Sequence, residues 1–75
     1  MVDKDFVRVE IGLDGGQILS ILVTPASADA LEASLAAGTL GALRLEAHDG
    51  NIFLVLARVL YAKRFARETR VGFEA

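Results

Sequence analysis

Residues 6–24 read Phe6-Val7-Arg8-Val9-Glu10-Ile11-Gly12-Leu13-Asp14-Gly15-Gly16-Gln17-Ile18-Leu19-Ser20-Ile21-Leu22-Val23-Thr24. The odd positions Val7, Val9, Ile11 and Leu13 are apolar and alternate with Arg8, Glu10 and Gly12, the period-2 signature of a strand with one wet face. Asp14-Gly15-Gly16 supplies residues that accept positive φ, and Gln17 to Thr24 then resumes an extended apolar pattern. The stretch predicts a hairpin. In its second strand Leu19, Ile21 and Val23 share one face, whereas Ile18 and Leu22 stand beside Ser20 on the other, so this strand is apolar on both sides.

Downstream, Thr24-Pro25 fits an N-cap followed by proline at the first helical position, with Ser27 as an alternative cap. Ala28 to Ala37 is rich in helix formers, and Gly38 stops the run. Ala28, Leu31 and Leu35 form a narrow apolar stripe suited to lying on a sheet, while Asp29 and Glu32 face water and favour the N-terminal half.

A second hairpin is predicted where Leu43, Leu45 and Ala47 alternate with Arg44, Glu46 and His48, followed by the turn His48-Asp49-Gly50-Asn51 and the apolar run Ile52 to Ala57. The two hairpins echo one another, with Arg8-Val9-Glu10 before Asp14-Gly15 and Arg44-Leu45-Glu46 before Asp49-Gly50. The spacing before each turn differs by one residue, which changes local register. Residues 53–68 also contain helix formers, but Val55, Val59, Tyr61 and Phe65 favour extended structure. The reading here is strand, a turn near Ala57-Arg58, then a strand, followed by a polar loop from Ala66 to Arg70 and a last strand from Val71 to Glu74. The fold class expected is α+β: a small antiparallel sheet of two hairpins plus C-terminal strands with one short helix, in a single small domain over residues 1–75.

Seventy-five residues give little room for a self-sufficient core. A chain of this size buries about 60% of the surface that its unfolded form exposes, while ordering it costs roughly 1.5 kcal/mol per residue. The absence of Cys excludes disulfides and thiolate metal sites, and one His cannot build a closed zinc site. Apolar residues make up 53% of the chain, and the mean hydropathy is +0.45. Oligomerisation is the remaining route to stability. Met1-Val2-Asp3-Lys4-Asp5-Phe6 has no basic-then-apolar signal pattern, and the apolar run Ile52 to Ala57 is far shorter than the ~18 residues of a membrane span. The expectation is a cytoplasmic protein without membrane partners. The preference for Arg over Lys, and the abundance of Ala and Leu, suggest a GC-rich bacterial coding bias.

No cofactor-binding or catalytic motif is present: there is no Gly-x-Gly-x-x-Gly, no phosphate loop, no Gly-x-Ser-x-Gly and no His-Glu-x-x-His. The expectation is therefore a non-enzyme without cofactor or metal. His48-Asp49 could form an oriented base, but both occupy a turn that needs Asp and Gly for backbone reasons. Asp3 and Asp5 are too few oxygen donors for a hard cation. Gly12, Gly15 and Gly16 could nest an anion, although glycines around a hairpin turn are expected without one.

Charge is divided unevenly. Residues 1–57 carry three basic and eight acidic side chains, and residues 58–75 carry five basic and two acidic. The candidate nucleic-acid contacts are therefore Arg58, Lys63, Arg64, Arg67 and Arg70 with Tyr61, where cations would meet phosphates and rings would stack on bases of single-stranded RNA or DNA. Against this, the sequence pI is near 5.2, and exposed charges commonly protect a sheet edge.

The reading preferred is a homo-oligomeric structural or interaction module, with small-ligand binding at subunit junctions as a lesser alternative. The candidate oligomer interface is Ile18, Leu22, Ile52, Leu54 and Leu56, the second apolar faces of the two hairpin strands, because one helix cannot cover both faces of a sheet. The competing arrangement is a sheet curled so tightly that its inner face forms a core alone, with the helix covering part of the outside.

The order hairpin, Ala-rich helix, hairpin, then Ala57-Arg58-Val59-Leu60-Tyr61 resembles short uncharacterised bacterial proteins with this strand layout, a likeness that implies no catalytic residues. Length and hairpin content are also similar to those of the tryptophan RNA-binding attenuation protein family, rings of small β subunits. The helix departs from that pattern, so this likeness implies ring assembly alone.

Overall fold

The structure, a computed structural model, describes residues 5–65. Five strands and one helix follow in the order β1 (Val7–Leu13), β2 (Gln17–Val23), α1 (Pro25–Ala37), β3 (Ala42–Ala47), β4 (Gly50–Val55) and β5 (Val59–Arg64), with short 3-10 turns at Asp14–Gly16 and Leu56–Arg58. The α+β class and both hairpins are as expected, and residues 53–64 are strand, turn and strand. The expected loop from Ala66 and strand from Val71 lie outside the described residues.

All pairings are antiparallel, in the order β4-β3-β2-β1-β5. The three-residue turn Asp14–Gly16 sets Leu13 opposite Gln17, with Gly15 and Gly16 at φ of 87° and 84°, where a side chain would be strained. His48-Asp49 is shorter by one residue and sets Ala47 opposite Gly50. That difference accommodates the unequal spacing of the two hairpin sequences.

Although β4 and β5 are consecutive in the chain, they occupy opposite ends of the strand order. In a flat sheet those ends would stand about 19 Å apart, yet the chain from Val55 to Val59 spans at most about 14 Å. The sheet must curl. Its weak seam lies between β2 and β3, which pair only at Val23 and Ala47, flanked by Thr24 N–H donating to the Glu46 carbonyl (3.0 Å) and His48 N–H donating to the Leu22 carbonyl (3.1 Å). Curling brings Val9, Ile11, Val23, Leu45, Leu54 and Leu56 together as a core.

The helix packs on that inner side. Ala28 and Leu31 join the core and Leu35 packs against it, so the predicted stripe is the buried one. Thr24 is the N-cap, its Oγ1 accepting from the Ser27 N–H at 3.1 Å, and Pro25 begins the helix. The two buried hydroxyls also bond each other, and Ser27 Oγ accepts from the Glu46 N–H at 2.9 Å, tying the helix start to β3. At the other end Gly38 turns left-handed at φ 69°. Its N–H and that of Thr39 donate to Leu35 and Ser34 carbonyls, satisfying acceptors that the last turn leaves open.

Candidate functional site

Among the described residues no helix lies against the outer face of the sheet, and the strand parities decide what stands there. Opposite the buried row Val9 and Ile11, β1 presents Arg8, Glu10 and Gly12. On β2, Ile18, Ser20 and Leu22 lie across from Gly12, Glu10 and Arg8, in that order. Ile18 is 63% exposed and Leu22 40%, so these two members of the expected interface are uncovered in the single chain.

The other three members are not. Ile52 is half-buried, while Leu54 and Leu56 are each only 5% exposed and belong to the core, a correction to the expected interface. The cause is register. With Ala47 opposite Gly50, Ile52 pairs with Leu45 and Leu54 with Leu43, on the face that meets the core. Phe53 and Val55 take the outer positions instead, at 69% and 53% exposure. They adjoin Arg44 and Ala42 across the strand, and Leu40 just before β3 is also exposed. The signal for Phe53 and Val55 was present in the two-residue turn, since a one-residue change of register exchanges faces.

The expected basic surface is not one surface within the described residues. Tyr61 and Lys63 pair with Gly12 and Glu10 on the outer face, whereas Arg64 pairs with Val9 on the helix side. There its Nη1 donates to Asp29 at 2.8 Å and lies 3.5 Å from Glu32. The hydrogen bond to Asp29 holds the Arg64 pKa above its ordinary value, against the opposing effect of desolvation, with Glu32 adding to the rise. Arg58 bonds Asp14 at 3.0 Å, joining the two 3-10 turns, and Arg44 pairs with Glu46 at 3.9 Å. Lys63 and Arg8 approach the Phe65 ring, at 4.6 and 5.2 Å from its centroid. Three of these five cations thus already face carboxylates. Arg67 and Arg70 lie outside the described residues.

Tyr61 lies flat across Gly12 and donates to Glu10 Oε2 at 2.8 Å. That hydrogen bond is the main cause of a phenol pKa raised above the ordinary value, with burial and the Glu10 charge adding to it.

An open cleft of about 360 Å³ lies where β2 runs past the β3–β4 turn, lined by Arg8, Ser20, Ile21, Leu22, Ala47, His48 and Asp49. His48 Nδ1 is 4.0 Å from Asp49, and its ring meets Phe6 edge-on with centroids 6.2 Å apart. The cleft sets the Arg8 cation and the Asp49 carboxylate beside apolar Ile21, Leu22 and Ala47. Ser20 and His48 share the lining, but no hydrogen bond joins them as a nucleophile and base. Among the described residues no three carboxylate or imidazole side chains converge as a metal site, and no helix is long and apolar enough to cross a membrane. Comparison with family models, curated proteins and solved structures yields no match to this chain.

Proposed function

We propose that this protein is a non-enzymatic interaction module that associates with copies of itself. The observation that carries the reading is the uncovered apolar set on the outer sheet surface, Ile18 and Leu22 on β2 with Phe53 and Val55 on β4. The helix occupies the inner side and leaves this surface to water. Covering each large side chain would contribute roughly 1.5 to 3 kcal/mol, and no element among the described residues does so. Three cations that could attract a polyanion, Arg44, Arg58 and Arg64, already face Glu46, Asp14 and the pair Asp29 and Glu32.

Light scattering coupled to size exclusion tests the reading. An assembly larger than the 8.0 kDa chain is expected at micromolar concentration, and Leu22→Asp or Phe53→Asp should weaken it without unfolding the chain. A monodisperse 8.0 kDa species throughout that range overturns it.

The cleft beside Arg8 supports a second reading, uptake of a small organic anion next to Leu22. Calorimetric titration with benzoate as the probe tests it. Saturable heat that Arg8→Ala abolishes is expected, and an absence of heat at millimolar benzoate removes this reading.

A further inference from the structure

We infer that a second copy of this chain adds to the free edge of β4 in antiparallel register about a two-fold axis through Phe53, making one sheet continuous across two subunits. This inference rests on the self-association reading and names the part of the contact that β4 makes.

The main-chain geometry identifies the groups that wait at that edge. Thr24 N–H bonds the Glu46 carbonyl, and His48 N–H bonds the Leu22 carbonyl, so the even positions of β3 point toward β2. Its odd positions, Leu43, Leu45 and Ala47, therefore point toward β4 and engage Leu54, Ile52 and Gly50. The intervening β4 residues Asn51, Phe53 and Val55 turn their N–H and C=O groups away from β3. Because β4 ends the strand order, no strand among the described residues receives them.

Unpaired edges are usually guarded by charge, proline or a bulge. At the opposite end of the sheet, β5 carries Lys63 and Arg64, and its ladder with β1 is interrupted by a register shift beside Leu13. The segment Gly50-Asn51-Ile52-Phe53-Leu54-Val55 carries no charge and no proline, and its ladder to β3 is regular. A polyanion or a charged peptide finds no counter-charge on it, and a second copy meets no repulsion.

Self-pairing about Phe53 is also complementary group by group. Phe53 meets its symmetry mate as a hydrogen-bonded pair, Asn51 meets Val55 of the partner subunit, and Val55 meets Asn51 of the partner subunit, giving about six main-chain hydrogen bonds. The outer face gains a Phe–Phe cross-strand contact of the kind that stabilises paired strands, with Arg44 and Glu46 left at the rim. A two-fold contact of this type closes on itself and limits growth to a dimer at this edge.

The whole chain is examined by sedimentation equilibrium and by amide hydrogen exchange followed by NMR. Wild-type protein should contain a species of twice the 8.0 kDa chain mass, and the amides of Asn51, Phe53 and Val55 should become protected as concentration rises through the dimer transition. Val55 has φ −84°, close to the proline value, and its N–H serves no intrachain ladder, so Val55→Pro should keep the circular dichroism of the wild type yet dissociate the dimer at least tenfold more readily. Val55→Thr retains the amide and should remain dimeric. If the chain assembles while those three amides exchange as fast as in dilute monomer, or if folded Val55→Pro dimerises as the wild type does, the β4 contact is wrong and self-association stands. If wild-type protein stays at 8.0 kDa, both fall. Should Val55→Pro fail to fold, the exchange pattern of the wild type decides alone.

Discussion

The ring of Tyr61 fills the space that a side chain at Gly12 would need: a Cβ at Gly12 would overlap Tyr61 Cε2. The residues are directly opposed on β5 and β1, and the glycine, otherwise a poor strand residue, lets the ring lie flat and reach Glu10. Gly12→Ala should therefore destabilise the fold by about 1–3 kcal/mol in urea unfolding, because the ring must lift and give up its hydrogen bond. In a Tyr61→Ala background the same change should be neutral or slightly stabilising, since alanine restricts the unfolded chain more than glycine does. Equal costs in both backgrounds would show that the ring is not the obstacle.

Tyr61 is the only tyrosine, so its titration is readable by ultraviolet absorbance without assignment. The phenol should ionise above its ordinary value, held protonated first by the hydrogen bond to Glu10. Because the folded state retains this proton longer than the unfolded chain, its contribution to stability is full below the ordinary phenol pKa of about 10 and is lost as pH rises through the folded value. Glu10→Gln should lower the midpoint by removing the carboxylate charge. A midpoint that does not move would separate Tyr61 from Glu10.

The Ser27 hydroxyl receives the Glu46 amide from β3 while its own N–H is capped by Thr24. Ser27→Ala keeps the cap but leaves that part-buried amide without its acceptor, an expected loss of about 1–3 kcal/mol by thermal unfolding. Thr24→Ala should cost about 0.5–2 kcal/mol through the helix start. The effects should not add in the double mutant, because the hydroxyls bond each other.

On β4, neighbouring residues should answer differently to the same substitution. Leu54→Ala removes a core side chain and should cost about 2–5 kcal/mol of chain stability. Phe53→Ala, on the open face, should leave unfolding of the dilute monomer within about 0.5 kcal/mol of the wild type. Denaturant curves at low micromolar concentration distinguish the two, and a reversed order would mean that the faces of β4 are exchanged.

Local periodicity was enough to place the first hairpin, the helix with its Thr24 and Gly38 ends, and the wet face of β1, because each depends on neighbours within a few residues. Ile18 and Leu22 were legible as an uncovered pair for the same reason: they lie six and two residues before Thr24, on the strand face opposite Val23. The basic and aromatic residues of β5 were visible as a cluster in the chain, but alternation divides Tyr61 and Lys63 from Arg64, and the helix carboxylates that engage Arg64 are distant in sequence.

Tertiary structure alone decided where β5 goes and how deeply the core face of β4 is buried. An apolar run such as Ile52 to Leu56 has no wet side to reveal its orientation, so its parity follows from the pairing of Ala47 with Gly50. The short link Leu56–Arg58 reads equally well as a tight hairpin, and it leads instead to β1 because the curled sheet brings its two ends near each other. Curling is a property of all five strands together. It closes the core over Leu54 and Leu56 while Phe53 and Val55, on the opposite face, stay exposed, and that depth of burial is governed by long-range closure.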